Sequence, residues 1–210
     1  MVDFQVDPVE ARVLGSLIEK ETTTPEYYPL SLNALVNACN QKSNRDPAVS
    51  FDEDTVADAL ERLRHKGLVL IITGAGSRVA KYGHRLAEKL NLGRRESAIL
   101  CELLVRGPQT AGELRNRADR MHKFDDLEEV ELVLERMSEL VTKLPRRPGE
   151  KEQRYAHLLA GQPQVDAVEE HAVAAPRADR IGALEAEVAK LQEEIEELKR
   201  QFGDFRRQFE

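Results

Sequence analysis

The sequence predicts a mainly helical protein with small β-hairpins, built as two tandem winged helix-turn-helix domains followed by a C-terminal coiled-coil helix. Three observations predict this class. A helix-and-hairpin pattern occurs twice, each copy follows two further helical segments, and residues 181–209 carry a heptad repeat. We therefore expect winged-helix domains over residues 1–90 and 91–160, a flexible linker over 161–176, and the coiled-coil helix over 177–210.

The internal repeat consists of an amphipathic helix, an apolar strand, a glycine-containing turn and a returning strand with a Tyr and a His. The helix runs from Val56 to Leu63 in the first copy and from Val130 to Met137 in the second, 74 positions later. The Tyr/His strands, at 81–84 and 154–157, are 73 positions apart. This matched spacing indicates a duplication, and two copies are too few for a solenoid.

The first domain contains clear helix and strand signals. Asp7 before a proline opens the first helix, since Asp is a good N-cap and Pro is tolerated at the first helical position. Ser31 caps the second helix, and the third ends at Gly67, a residue suited to a left-handed C-terminal cap. Residues 68–72 then predict a strand that returns over 78–82.

The second domain repeats the same order of elements. A helix is predicted from Glu96 to Arg106, and Thr110 caps the short helix that follows. An aspartate at 125 or 126 begins the third helix. Residues 141–144 form a strand, and residues 146–151 form the wing. Three helices followed by a hairpin is the order of elements in a winged helix.

A specific loop motif in the first domain identifies a family. The motif residues are Glu19-Lys20, Thr23-Thr24-Pro25, Tyr28-Pro29-Leu30-Ser31, Asn33, Cys39-Asn40-Gln41-Lys42, Asn44-Arg45 and Pro47. Further matches are Gly76-Ser77-Arg78-Val79 with Lys81-Tyr82, and Arg154-Tyr155-Ala156-His157-Leu158. On these residues the chain resembles the YceH family, an uncharacterised bacterial family, over roughly residues 8–160. The resemblance implies tandem winged-helix domains and implies no activity.

Composition excludes several classes of protein. The 210 residues are 33% charged with a net charge of −7, and residues 161–210 hold 7 basic against 12 acidic side chains. No apolar run approaches the ~20 residues of a membrane span, and the N-terminus does not have the pattern of a signal peptide. Two cysteines, Cys39 and Cys101, fit a reducing compartment, so we expect a cytoplasmic protein.

The sequence gives no catalytic, cofactor or metal site, and we predict a non-enzymatic protein without a cofactor. The two cysteines form no CxxC pair, and the five histidines are scattered. His84 and His157 occupy equivalent positions at the ends of the repeated hairpins. A role in folding is favoured over that of a catalytic base, because no partner acid or nucleophile is evident.

The charges around the predicted winged helices leave the type of partner open. Both third helices begin with carboxylates, which would meet DNA phosphates with like charge. Basic and amide side chains lie instead in loops and wings. The residues predicted to contact nucleic acid or a partner are Lys42, Asn44, Arg45, Arg78, Lys81, Arg146, Arg147, Lys151 and Arg154. The alternative is that they are ordinary solvated charges.

Two functions follow from this pattern. The fold and the basic wings favour a DNA-associated regulator, whereas the acidic third helices and the coiled coil favour a scaffold that binds a partner protein without DNA. The loop over residues 40–47 has two readings as well. Arg45 either contacts a ligand or partner, so that its loss leaves stability nearly unchanged, or the loop's amide side chains only bond its own backbone.

The heptad repeat predicts how the chain associates. Apolar residues alternate by three and four along this segment, which gives a seam that an isolated helix cannot bury alone. The predicted oligomerisation residues are Ile181, Leu184, Val188, Leu191, Ile195 and Leu198. β-Branched residues at one seam position and leucines at the other favour a parallel homodimer. The alternative is that this helix folds back on its own chain.

Overall fold

The structure, a computed structural model, describes residues 4–72, 79–146, 149 and 151–163. In these residues seven α-helices accompany one three-stranded and one two-stranded antiparallel sheet. The predicted class, mainly helical with small β-hairpins, is therefore confirmed. None of the described helices is long and apolar enough to cross a membrane.

The first half contains four helices and three strands. The helices are α1 (Pro8–Thr23), α2 (Leu32–Cys39), α3 (Glu53–His65) and the single-turn α4 (Leu86–Lys89). The strands are β1 (Leu30–Ser31), β2 (Val69–Ile72) and β3 (Lys81–His84). A short 3-10 turn over Pro25–Tyr27 separates α1 from β1.

The second half contains three helices and two strands. They are α5 (Arg94–Arg106), α6 (Ala111–Ala118), α7 (Leu127–Arg136), β4 (Val141–Lys143) and β5 (Tyr155–His157). Helix α5 begins two residues before the predicted Glu96, because Gly93 occupies its N-cap position. The two repeated helical segments of the sequence lie in α3 and α7, and both are followed by an antiparallel strand pair.

Capping contacts confirm the helix starts predicted at Asp7, Ser31 and Thr110. Asp7 accepts a hydrogen bond from the backbone of Glu10, and the Glu10 carboxylate accepts one from the backbone of Asp7, which completes a capping box. Thr110 forms a second such box with Glu113. The remaining side-chain caps come from Ser31, Asp52 and Asp126. Gly67 has φ of +68°, as expected for a left-handed helix end.

The first sheet has one strand more than the sequence predicts. Strand β3 lies in the centre, paired with β2 on one side and with β1 on the other. Strand β1 has two residues, too few for an alternating pattern. Tyr28, just before β1, accepts a hydrogen bond from the backbone N–H of His84 at 2.7 Å and so extends this contact.

One hydrophobic core runs through both halves. Helix α1 packs against α5, and fully buried leucines from both helices belong to the same cluster. Gly15 lies where these helices meet, and the Cys101 thiol donates to its carbonyl oxygen at 3.2 Å. A Cβ on Gly15 would lie 2.5 Å from Val105 Cγ1 and 3.0 Å from Leu104 Cβ. The missing side chain therefore permits the close approach of α1 and α5.

Replacing Gly15 tests this close approach. We expect Gly15→Ala to destabilise the protein, because overpacking of about 1–3 kcal/mol outweighs the ~1 kcal/mol that alanine gains in a helix. Gly112 in α6 is the matched control, since the nearest atom to a Cβ there lies at 3.9 Å. Gly112→Ala should raise the free energy of unfolding measured in urea. Equal stabilisation by both substitutions would contradict the close contact.

Candidate functional site

The loop between α2 and α3 packs inward, against the protein's own backbone and against the second half. Asn40 donates to the Phe51 carbonyl at 2.7 Å and accepts from the Phe51 N–H at 2.8 Å, which closes the loop. Arg12 of α1 donates to the carbonyls of Cys39 and Pro47 at 3.1 and 2.7 Å. The motif residues before and after the loop thus serve to fix its shape.

Asn44 and its neighbour dock the loop on the C-terminal end of α5. Asn44 has φ of +60°, a left-handed conformation that asparagine tolerates better than most residues. Its side-chain oxygen accepts from Arg106 Nη2 at 2.5 Å. The Asp46 N–H donates to the carbonyl of Val105 at 3.0 Å. Asn44, one of the residues predicted to meet a partner molecule, is therefore used between the two halves of this chain.

Arg45 corrects an expectation from the sequence, because its side chain is 0% exposed. Its guanidinium pairs with Glu19 of α1 and donates to the Ala38 carbonyl at 3.0 and 3.2 Å. A buried guanidinium needs such partners, since an unpaired buried charge is costly. Arg45 is therefore an internal residue and not part of an exposed contact surface.

Glu19 connects the first half to the second. Its side chain is 1% exposed and accepts from Arg45 and, at 2.7 Å, from Arg120, which follows α6. Burial alone would raise the pKa of Glu19, but the hydrogen bonds and charges of the two arginines outweigh it and lower that pKa. The carboxylate is thus held ionised between two cations.

Glu102 of α5 is the second buried carboxylate of this network, and its pKa is shifted in the opposite direction to that of Glu19. Arg106 Nε lies 2.8 Å from its Oε2, and Arg120 Nη2 lies 3.6 Å from its Oε1. The Arg106 contact is not aligned as a hydrogen bond and the Arg120 contact is too long for one, so both oxygens are without a hydrogen bond in the described part of the chain. Desolvation raises the pKa of Glu102, and the neighbouring arginines only partly offset it.

Most of the other predicted contact residues are exposed where the structure describes them. The exposed residues are Lys42, Lys81, Arg146 and Lys151. Arg154 is half-buried and pairs with Glu113 at 2.7 Å, with a further bond to the Pro108 carbonyl at 3.1 Å. Arg78 and Arg147 lie outside the described residues, as do Ile181, Leu184, Val188, Leu191, Ile195 and Leu198.

The two repeated histidines have different surroundings. His84 Nε2 lies 2.8 Å from a carboxylate oxygen of Glu21, and its Nδ1 accepts from the Leu86 N–H at 3.2 Å. His157 lines a cleft of about 470 Å³, and burial lowers its pKa to about 4. Among the residues with described positions, no three His, Cys, Asp or Glu side chains are grouped to hold a metal ion.

The exposed side chains in the N-terminal half of α3 and along most of α7 are acidic, whereas the last turn of α3 exposes basic residues. At the N-terminal end of α3 the exposed residues are Glu53, Asp54 and Asp58, preceded by the cap Asp52. On α7 the exposed acidic residues are Glu128, Glu131 and Glu135, preceded by Asp125 and Asp126. Two exposed leucines, Leu127 at 47% and Leu132 at 51%, flank the glutamates of α7.

A further exposed apolar surface lies on strand β2. Leu70, Ile71 and Ile72 are 44, 40 and 43% exposed. The apolar run in the sequence predicted a strand here, but it gave no sign that three of its four side chains remain in contact with water. In the described residues β2 has a neighbouring strand on one side only, which is β3.

Comparison with known proteins places the chain in a family. The family model described as "Protein of unknown function, DUF480" matches residues 6–150. A UPF0502 protein of Solibacter usitatus (strain Ellin6076) is 59% identical over 91% of this chain and 95% of its own length. UPF0502 proteins of Citrifermentans bemidjiense and Geotalea daltonii are 55 and 56% identical, each over about nine-tenths of both chains. The chain therefore belongs to the DUF480 family, whose curated relatives carry the name UPF0502.

Proposed function

We propose that the protein is a non-enzymatic interaction module of two winged-helix halves, residues 1–90 and 91–160, that binds a basic segment of a partner protein. The exposed carboxylates of α7 and of the N-terminal half of α3 carry this proposal. In a winged helix the third helix commonly enters the major groove of DNA, where phosphates repel carboxylates. The same carboxylates attract lysine and arginine side chains of a protein.

The winged-helix assignment rests on the order of the elements. In each half three helices precede an antiparallel strand pair, and the repeated helix directly precedes the first strand of that pair. Helix α3 and the sheet of the first half enclose part of the common core, as does α7 in the second half. A partner therefore meets a third helix whose apolar face is already buried.

The apolar residues of α7 support a protein partner over a polyanion. Leu127 and Leu132 flank the exposed glutamates, so the surface combines negative charge with two apolar side chains. A segment with both basic and apolar residues would bury the leucines and neutralise the carboxylates. Exposed ion pairs contribute only about 0.2–1 kcal/mol each, so we assign most of the affinity to the apolar contacts.

DNA association through the wings is the second candidate. The exposed Lys42, Lys81, Arg146 and Lys151 support it, since positive charge in loops and wings suits phosphate contact. Against it, Arg45 is buried and Arg154 pairs with Glu113, so these two are engaged internally. A homodimer through residues 180–200 and a cytoplasmic location both remain predictions, whichever of the two candidate functions is correct.

A capture experiment tests the protein-binding proposal. The tagged full chain is incubated with nuclease-treated extract of its native cell, and bound proteins are quantified by mass spectrometry. We expect the double variant Glu128→Gln with Glu131→Gln to capture a basic partner severalfold less than the matched control, Glu26→Gln with Glu152→Gln, because each exposed ion pair contributes about 0.2–1 kcal/mol. All four glutamates are exposed, and the melting temperature of each variant verifies that it is folded. Equal capture by both variants would refute α7 as the binding surface.

A gel shift with two unrelated DNA duplexes tests the second candidate. Binding that falls steeply between 50 and 200 mM salt would show phosphate contact. Arg146→Ala with Arg147→Ala should then weaken binding to both duplexes equally, because phosphate contacts carry no base information. Absence of binding at low salt would eliminate the DNA candidate and leave the protein-binding proposal standing.

A further inference from the structure

The two halves of the chain carry the same short segment in front of their second helix. Residues 28–31 read Tyr-Pro-Leu-Ser, and residues 107–110 read Gly-Pro-Gln-Thr. The last residue of each segment is the N-cap of a helix, α2 or α6. The third residue of each is paired with the tyrosine of the returning strand, and the pairs are Leu30 with Tyr82 and Gln109 with Tyr155. Tyr28 and Gly107 therefore occupy equivalent positions.

In the first half the side chain of Tyr28 closes the end of strand β3. Its hydroxyl oxygen accepts a hydrogen bond from the His84 N–H at 2.7 Å. Its ring meets the imidazole of His84 edge-on, with the ring centroids 6.4 Å apart. Tyr28 is half-buried and packs against the hydrophobic core. A phenol group thus satisfies the backbone donor at this strand end.

The equivalent donor in the second half is the backbone N–H of His157. The N–H of Leu158 bonds to the Leu140 carbonyl at 2.7 Å, on the side of β4, whereas the N–H of Tyr155 bonds to Gln109 on the opposite side. Because backbone groups alternate between the two sides of a strand, the His157 N–H lies on the side away from β4. Among the described residues, none accepts a hydrogen bond from it.

A cleft of about 470 Å³ lies at this strand end. It is lined by Gly107 and Pro108 after α5, by Ala156 and His157 of β5, and by residues 160–163. None of these residues is charged at neutral pH, since burial lowers the pKa of His157 to about 4. The second half therefore has a neutral cleft where the first half has a phenol ring.

The way in which α5 ends accounts for the glycine at this position. Gly107 follows the helix directly and adopts φ of +70°, a left-handed conformation that strains a residue with a side chain. In the first half a 3-10 turn over Pro25–Tyr27 separates α1 from Tyr28, whose φ is −92°. A tyrosine therefore fits the backbone of the first half, whereas the second half requires glycine and leaves the cleft.

We propose that this cleft binds a phenol group from another molecule, with its hydroxyl oxygen accepting a hydrogen bond from the His157 N–H as Tyr28 does from His84. The cleft exceeds the volume of one ring and falls within the range of about 300–1,000 Å³ that is usual for ligand pockets, so the ligand can extend beyond the phenol. Its source is either a small phenolic molecule or a tyrosine of a protein. The site is separate from the acidic residues of α7 and does not depend on the function proposed for them.

Ala156 borders the expected position of the hydroxyl group. It stands where the first half has Gly83, one residue before the histidine. A Cβ on Gly83 would lie 3.3 Å from the hydroxyl oxygen of Tyr28, a contact that requires a shift of a few tenths of an ångström. A free ligand can make this shift more easily than a tyrosine fixed to the backbone. Ala156 is therefore compatible with a separate molecule in the cleft.

Titration of the isotope-labelled full chain with p-cresol, followed by the amide resonances, tests the site. Toluene is the matched control ligand, because it lacks only the hydroxyl group. We expect p-cresol to bind about 2–10-fold more tightly than toluene, as one net hydrogen bond predicts, and to shift the His157 amide proton where toluene does not. Equal affinities with an unchanged His157 resonance would overturn the proposal.

A substitution that narrows the cleft places the probe. Ala160 lines the cleft and is exposed, so Ala160→Leu should reduce the affinity for p-cresol at least severalfold. Ala48→Leu is the matched control, since Ala48 is an exposed alanine in the loop before α3 and should leave the affinity unchanged. Melting temperatures verify that both variants are folded. Undiminished binding by Ala160→Leu would place the probe elsewhere and contradict the assignment.

A second probe identifies the source of the phenol. N-acetyltyrosinamide carries the same ring between two peptide groups. Binding tighter than that of p-cresol would support a tyrosine of a protein as the ligand, and weaker binding would support a small phenolic molecule. If neither probe binds at millimolar concentration, the cleft does not recognise a phenol and the proposal fails.

Discussion

Arg45→Ala is expected to destabilise the protein by about 3–5 kcal/mol, because it removes the buried cation of an ion pair and leaves the buried carboxylate less well compensated. Glu19 would retain Arg120, whose side chain is 41% exposed and pairs with Glu19 at 2.7 Å. The carbonyls of Ala38 and Asn44 would lose their donors as well. For a chain of this size the melting temperature should fall by on the order of 10 °C.

Lys42→Ala is the matched control for Arg45→Ala. Both residues lie in the same loop, but Lys42 is exposed. Its loss should change the free energy of unfolding by no more than about 0.5 kcal/mol. The comparison is made by urea unfolding at pH 7 followed by circular dichroism. A loss of less than 1 kcal/mol for Arg45→Ala would contradict the buried pair and restore Arg45 as a contact residue.

The role of Arg45 shows what the sequence could not supply. An arginine in a polar loop before a third helix reads as an exposed cation, since arginine is rarely buried unless paired. Its partner Glu19 is 26 positions away and Arg120 is 101 positions from Glu19. A single sequence carries no periodicity that relates positions so far apart. The family motif does contain both Glu19 and Arg45, and this shared membership was the only signal available.

Interactions between residues close in sequence, in contrast, were sufficient to predict the helices and the main strands. Caps such as Asp7, Ser31 and Thr110 act on backbone groups two or three residues away, so the sequence shows cap and helix together. The missed elements, β1 and α4, span two and four residues. Such short elements depend on contacts with β3 and the core, and no repeat can emerge within them.

The surfaces were only partly predictable for a related reason. The acidic start of each third helix was evident from sequence, because consecutive carboxylates after an N-cap lie in the first turn. The exposure of β2 was not, since a continuous apolar strand is ordinarily buried. In the structure β2 lies at the edge of a three-stranded sheet, and its Leu70, Ile71 and Ile72 side chains are exposed while Val69 is buried.

Replacing a buried glutamate by glutamine should affect the free energy of unfolding differently at Glu19 and at Glu102. Glu19 has a pKa below its ordinary value, so its ionised form stabilises the fold above pH 4.5 and this contribution is lost as pH falls through the lowered pKa. Glu19→Gln should therefore cost about 3–5 kcal/mol at pH 7, because Arg45 loses its buried counter-charge. The difference from wild type should shrink in acid, where Glu19 itself becomes neutral.

Glu102 has a pKa above its ordinary value, and the sign of its effect is reversed. Its neutral form is favoured in the fold, so the stability that it contributes is present below pH 4.5 and is lost as pH rises through the raised pKa. Glu102→Gln removes a buried charge that accepts no aligned hydrogen bond. The variant should match wild type in acid and equal or exceed it in stability at pH 7.

Urea unfolding of wild type, Glu19→Gln and Glu102→Gln between about pH 3 and pH 8 measures both effects, and each variant replaces a carboxylate by an amide. We expect the Glu19→Gln deficit to grow as pH rises to about 4.5, and the Glu102→Gln difference to move towards stabilisation above that pH. Parallel losses of several kcal/mol at pH 7 would show that Glu102 is as well paired as Glu19. Divergence would establish that hydrogen-bonded partners, and not proximity to arginine alone, decide whether a carboxylate at this junction stabilises the fold.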